Sequence, residues 1–382
     1  MKNRYNRVLL IVFFTLFGMH SYAQEVTVLP YEMIGEKMIV KMLINGELTP
    51  MVFDTGGKNL IKVKLKEKLG LSTINSKEVI DVSGQKQHVD IVQVNSIETP
   101  DHKTSFQKVP VLVLDNELFE CEDGPQGLIG SDLWQNSTIE IDDKAKVIKI
   151  RSGGLASLKN NPQALPFIDN GQGSPIFEIK IGRFDKARVL FDSGAAGFLT
   201  LKVPEYPRLE GLGALYMIRQ GEASGSLGVL GRGANGNRYL LEAREIFIGQ
   251  GSFSKFRFGV TNSTESLLGY QLLTYGNITI DYVNKLFLFE PFTTEKVKGA
   301  QTFWELEMGP ADDKMIVTTV WEKLKGEVAV GDEITHINGK KIIPLSFCEN
   351  LKGGYPILEE SERLVLTIKT KDGIKEIEVV KD

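Results

Sequence analysis

The chain has few of the residues that build metal and redox centres: two cysteines, four histidines and three tryptophans among 382 residues. Cys121 and Cys348 stand far apart, which excludes a disulfide-framed small domain and a cysteine-based metal site, and both are expected as unpaired thiols. His20 lies in the apolar leader, while His88, His102 and His336 are scattered without carboxylate or cysteine partners at ligand spacing. No metal and no other cofactor is therefore expected. Lys and Arg form no long run, and 45 basic against 49 acidic residues leave a net charge of -4, which argues against nucleic acid as a partner. No stretch reaches the roughly twenty apolar residues that a membrane-crossing helix needs. The absence of G-x-S-x-G removes the simplest serine-hydrolase reading.

Glycine, by contrast, is abundant at 38 residues, and it punctuates short apolar runs in the manner of tight turns between strands. A mostly β chain is expected. At the amino terminus, Lys2, Arg4 and Arg7 precede the apolar stretch Val8 to Phe17, and Ser21, Tyr22 and Ala23 put small residues where a signal peptidase reads. Residues 1–23 are thus expected to be a signal peptide that exports the chain to a periplasmic or extracellular space.

Two distant segments repeat one another. Met51-Val52-Phe53-Asp54-Thr55-Gly56 recurs as Val189-Leu190-Phe191-Asp192-Ser193-Gly194, and Leu128-Ile129-Gly130 recurs as Leu267-Leu268-Gly269. The spacing from aspartate to that last glycine is 76 residues in the first copy and 77 in the second. Beyond it Leu133, Ile139, Ile141, Asp142 and Lys146 match Leu272, Ile278, Ile280, Asp281 and Lys285 without a gap. This is a duplicated unit, with a first lobe over 24–152, a linker over 153–173 and a second lobe over 174–297. The linker is rich in Gly, Asn, Gln and Pro, as suits a path over the surface. Helical stretches are expected to be few, with Val63 to Leu69, Ser131 to Gln135 and Tyr270 to Thr274 as the short candidates.

An apolar strand running into Asp-Thr-Gly or Asp-Ser-Gly delivers a carboxylate from a buried strand end, beside a glycine that lets the chain turn tightly. One such tripeptide is ordinary turn chemistry; two, related by a repeat, allow a pseudo-twofold axis to bring the carboxylates together. Two carboxylates a few ångströms apart cannot both ionise cheaply, so they share one proton and offer a base and an acid at the same pH.

In Asp54-Thr55-Gly56, Asp192-Ser193-Gly194, Ile129-Gly130 and Leu268-Gly269 together, residues 30 to 292 resemble the pepsin and retropepsin superfamily of aspartic peptidases. The resemblance implies a two-lobed, pseudo-twofold β-barrel fold in which Asp54 and Asp192 hold the attacking water. It also implies that Thr55 and Ser193 lock the two loops, and that Ile129-Gly130 and Leu268-Gly269 pack beneath them. Gly57 and Ala195 stand where pepsin-like enzymes often carry a hydroxyl donor to the carboxylate; without it the anion is stabilised less, so a mildly acidic to neutral optimum is expected.

The stretch Val79 to Val94, centred on Ser83-Gly84, reads as the hairpin that covers the cleft. Its counterpart Gln220 to Arg238 reads equally well as a second flap or a mobile loop. Within it, Gly231 to Gly236 matches the dinucleotide glycine string but follows no strand of a βαβ unit, so turn chemistry is the reading. From 303 to 382 the periodicity restarts, and Gly331-Asp332-Glu333-Ile334-Thr335-His336-Ile337-Asn338-Gly339 resembles the core of bacterial PDZ domains. That resemblance implies a small α+β domain that either takes a peptide ligand at a sheet edge or clamps the lobes. The expected activity is hydrolysis of a peptide or protein substrate; the alternative is a non-cutting protein that binds peptides in the same cleft and at the PDZ-like module.

Overall fold

In the computed structural model, residues 25–81, 83–114, 124–225, 227–311 and 314–382 are described. The expected signal peptide and Cys121 lie outside them. The described chain is mostly strand, as the glycine-punctuated apolar runs imply.

The first lobe is built on alternation. Strand Lys37–Ile44 buries Met38, Val40, Met42 and Ile44 and turns back at Asn45-Gly46, whose φ values of 50 and 84 suit a tight two-residue hairpin. The returning strand Glu47–Asp54 buries Met51, Val52 and Phe53 in succession, because it is covered on both faces. It pairs in parallel with Gly127–Gly130, setting Phe53 opposite Ile129 and Asp54 opposite Gly130. The second lobe repeats the arrangement: Asp185–Asp192 runs parallel to Leu267–Gly269, with Phe191 opposite Leu268 and Asp192 opposite Gly269.

The lobes join through an antiparallel ladder of Ser137–Asp142 with Gly276–Asp281, in which Ile139 faces Ile280 and Ile141 faces Ile278. The repeat equates Ile139 with Ile278 and Ile141 with Ile280, so the crossed register is that of a strand pairing with its own counterpart about a pseudo-twofold axis through the ladder. One continuous core spans both lobes, including Phe53, Trp134, Phe191, Phe253 and Phe289, and Phe177 stacks on Phe287 at 4.2 Å between ring centroids.

Three expectations need correction. The three short helical candidates are present, Val63–Lys68 as α-helix and Ser131–Trp134 and Tyr270–Thr274 as 3-10 helices, but α-helices also form outside them, among them Glu205–Gly211, Phe347–Lys352 and Pro356–Glu360. The linker does not simply cross the surface. Leu165–Pro166 pairs with the strand Leu286–Pro291, Ile168–Asp169 pairs with Pro175–Ile181, and Leu158 and Phe167 are buried. Its scattered apolar residues supply enough buried area to dock it despite its turn-rich composition. Cys348 is disulfide-bonded and not a free thiol; Cys121 is the only other cysteine in the chain.

The carboxy-terminal segment has a core of its own, including Leu306, Val317, Ile334, Leu364, Leu366 and Val379. Its strand Lys314–Trp321 pairs with Leu306–Ala311 and also with Leu215–Ala223 of the second lobe, in the register Gly221 to Trp321, Glu222 to Val320 and Ala223 to Thr319. A Cβ on Gly221 would lie 2.1 Å from the Val320 carbonyl oxygen, so glycine lets the two backbones meet. Arg219 fixes the joint, donating to the Trp304 carbonyl at 3.0 Å and pairing with the Asp382 side chain at 2.8 Å. The second-lobe sheet thus runs on into the module.

Candidate active site

Asp54 and Asp192 sit at matched strand ends and face one another as a hydrogen-bonded pair. The approach is close because both loops carry glycine. A Cβ on Gly56 would lie 2.4 Å from the Asp192 carboxyl carbon, and one on Gly194 would lie 2.7 Å from that of Asp54. Each aspartate accepts a loop amide: Gly56 donates to Asp54 Oδ1 at 2.8 Å and Gly194 to Asp192 Oδ1 at 2.8 Å, with Ala195 adding a third donor at 3.1 Å on the Asp192 side.

Thr55 and Ser193, both fully buried, cross between the loops. The Thr55 hydroxyl donates to the Phe191 carbonyl at 2.8 Å and accepts from the Ser193 amide at 3.0 Å. The Ser193 hydroxyl donates to the Phe53 carbonyl at 3.0 Å and accepts from the Thr55 amide at 3.0 Å. Two buried N–H groups and two buried carbonyls are satisfied by two hydroxyls, and the loops are held at one separation.

Ile129-Gly130 and Leu268-Gly269 lie beneath. Gly130 fits because a Cβ there would lie 2.5 Å from the Gly57 carbonyl oxygen, and Gly269 because one would lie 2.8 Å from that of Ala195. Asn59 accepts the Gly130 amide at 3.0 Å and donates its own amide to Asp132 at 2.9 Å. Ser131 ties the support to the first loop, donating to the Thr55 carbonyl at 2.7 Å and meeting the Tyr282 hydroxyl at 2.9 Å.

Burial and the neighbouring Asp54 push Asp192 well above the ordinary carboxylate value, the behaviour of a pair sharing one proton. One basic residue opposes this. Lys37 donates to the Gly194 carbonyl and its positive charge favours the Asp192 anion. Ser174, which occupies the equivalent place in the second lobe, donates to the Gly56 carbonyl at 3.2 Å. The two lobes therefore brace each other's glycine in the same way, once with an ammonium and once with a hydroxyl.

A cavity of about 410 Å³ opens over the pair. Its apolar wall is Leu60, Val79, Val89, Leu112, Leu114 and Leu128, and Lys58 and Lys77 also line it. Thr73–Ile80 and Lys86–Glu98 form the expected hairpin beside it, and at their turn Asp81 accepts the Ser83 amide at 2.9 Å while Gly84 takes φ 81. The counterpart hairpin, Leu215–Ala223 with Gly236–Ile248, sends Val229 and Leu230 across to line the same cavity. There the Leu230 amide donates to Asp81 at 3.0 Å. The two hairpins thus touch, and the glycine string at Gly231–Arg232 is part of a short turn-bounded ladder with Leu227–Gly228.

Sequence reasoning missed Lys37, Lys58, Lys77, Ser174 and Leu230. Lys58 was within reach, since it follows Asp54 by four residues and the tight loop keeps it at the cleft. Lys37 and Leu230 carried no local signal; only the tertiary fold brings them to the pair.

Residues 40–133, which include Asp54-Thr55-Gly56 and Ile129-Gly130, match a family described as Aspartyl protease. The chain thus carries an aspartyl-protease-like domain. Among solved structures it is similar to basic 7S globulin from soybean, at 10% identity and a TM-score of 0.40, over 71% of this chain and 95% of that one. No curated protein matches it.

Proposed function

We propose that this chain is an exported aspartic endopeptidase that hydrolyses peptide bonds of an extended substrate laid over Asp54 and Asp192. The observation that carries the reading is the carboxyl pair itself, each member pressed against the other loop's glycine and both loops locked by Thr55 and Ser193. One ionised carboxylate takes a proton from the attacking water, whose oxygen adds to the scissile carbonyl carbon. The protonated partner gives its proton to the carbonyl oxygen, and collapse of the tetrahedral species returns a proton to the leaving amine. The apolar wall takes side chains beside the scissile bond, and the touching hairpins limit water at the reacting carbon.

The disulfide at Cys348 supports export, since such bonds persist in oxidising compartments. We read the carboxy-terminal segment as a PDZ-like module that acts as a clamp. What supports this is the strand pairing with Leu215–Ala223, together with the loop Phe303 to Glu305 being bonded along its backbone to Val380 and Asp382 of its own chain.

The test is a diverse peptide mixture incubated across pH with the mature protein, Asp54→Asn and Asp192→Asn, with products read by mass spectrometry. Internal cleavage by the wild type and none by either folded variant is expected. Peptides retained on the wild type but left intact would replace the reading with that of a non-cutting peptide-binding protein.

A further inference from the structure

Two lysines that line the cavity lie close to one another. Lys58 follows the Asp54 loop, and Lys77 lies in the strand Thr73–Ile80 that borders the same space; both line the cavity. Neither forms an ion pair among the described residues, although surface lysines elsewhere commonly do. Burial, and then the neighbouring Lys58 ammonium, push Lys77 below its ordinary value.

The nearby acids offset the two lysines only in part. Glu78 faces Lys86 at 3.8 Å, and Asp81 holds the Ser83 and Leu230 amides. Asp132 is near both lysines, whose charges favour its anion, but it accepts the Asn59 amide and burial pushes it up to about 6. One carboxyl, drawn toward its neutral form by burial, thus stands against two ammonium groups beside an apolar wall, and the positive charge left over attracts an incoming anion.

We propose that Lys58 and Lys77 together form a carboxylate-binding subsite, so that substrates carrying a carboxylate close to the scissile bond are preferred. This rests on the peptidase reading of Asp54 and Asp192. A carboxylate has two sources here, an Asp or Glu side chain within the substrate or the free carboxyl terminus of a short product-side segment. Both would accept from two ammonium donors, and charge-assisted bonds of this kind discriminate by about tenfold or more against the uncharged isostere.

The experiment uses the mature protein and a set of peptides around a central apolar pair. Each flanking position carries Glu, Gln or Lys in turn, and every peptide is made with an amidated and with a free carboxyl terminus. The kcat/KM is measured for each, and the binding of matching reduced-bond analogues is measured by fluorescence anisotropy. At one flanking position Glu should exceed Gln by about tenfold, with Lys worst, and the preference should shrink as salt is raised. A dependence on the free terminus in place of the side chain assigns the subsite to terminal carboxylates. In Lys58→Met and Lys77→Met the Glu to Gln ratio should fall toward one, and in Lys77→Glu it should invert in favour of Lys. Cleavage by the wild type with no preference for either carboxylate overturns the subsite and leaves the peptidase reading standing. Tighter binding of the Glu analogue without cleavage of any peptide does the reverse.

Discussion

The crossed hydroxyls make a quantitative prediction. Thr55→Val keeps the shape and β-branching of the side chain but removes the oxygen, leaving the Phe191 carbonyl and the Ser193 amide without their partners at a fully buried site. An orphaned buried polar group costs roughly 1–3 kcal/mol, so the variant should lose about 2–6 kcal/mol of stability. Ser193→Ala orphans a different pair, the Phe53 carbonyl and the Thr55 amide, and by the pseudo-symmetry should cost a similar amount. Because the two variants break disjoint bonds, any departure of the double variant from the sum measures coupling through the shared loop geometry. Thr55→Ser keeps both bonds and loses only a methyl group, so it should stay within about 1.5 kcal/mol of wild type. Denaturant unfolding of the four variants, followed by far-ultraviolet circular dichroism, reads these numbers. A Thr55→Val protein that unfolds within about 0.5 kcal/mol of wild type, a difference ordinary for an inconsequential surface change, would refute the reasoning.

Three further outcomes are expected. Asp132, raised from 3.8 to about 6, stabilises the fold most when protonated, so stability should fall as pH rises from about 4 through 6; Asp132→Asn should flatten that slope in pH-dependent unfolding. Lys37→Met removes a positive charge that favours the Asp192 anion, so Asp192 holds the shared proton to higher pH and the alkaline limb of the rate profile moves to higher pH, while Lys37→Arg holds it in place; an unmoved limb in the Met variant would discard the role. Ending the chain after Thr302 strips Lys314–Trp321 from the edge of Leu215–Ala223, and the shortened protein should show a lower melting temperature and weakened hydrolysis of short peptides; unchanged values would mean the module does not brace that hairpin.

What could be read in the sequence followed from local patterns repeated at a fixed interval. The Asp-Thr-Gly and Asp-Ser-Gly loops and the apolar-apolar-Gly segments are short, their glycines are required by close backbone approach, and the second copy marks the first as more than a turn. The alternation of Met38 to Ile44 likewise announces its own strand. The missing parts depend on distance in space. Lys37 and Ser174 differ in type, so the repeat did not reveal that both brace a glycine carbonyl. Leu230 belongs to a glycine-rich stretch whose reach across the cleft is set by the whole Leu215–Ile248 hairpin. Phe167 was hidden by the turn-forming residues around it, and the pairing of Cys348 has no local signature because disulfide partners are chosen by proximity.

The ladder between Ser137–Asp142 and Gly276–Asp281 carries a consequence for assembly. Since each strand meets its own counterpart across the axis, the contact is of the self-complementary kind by which two copies of one subunit associate. With the disulfide at Cys348 reduced, a break in the backbone at the exposed Asn170-Gly171 turn would divide the chain into fragments that each retain one aspartate loop and one half of that ladder. Mixed together, the halves carry the edges needed to find each other. Regain of hydrolysis would require both fragments, because each contributes one carboxylate to the pair.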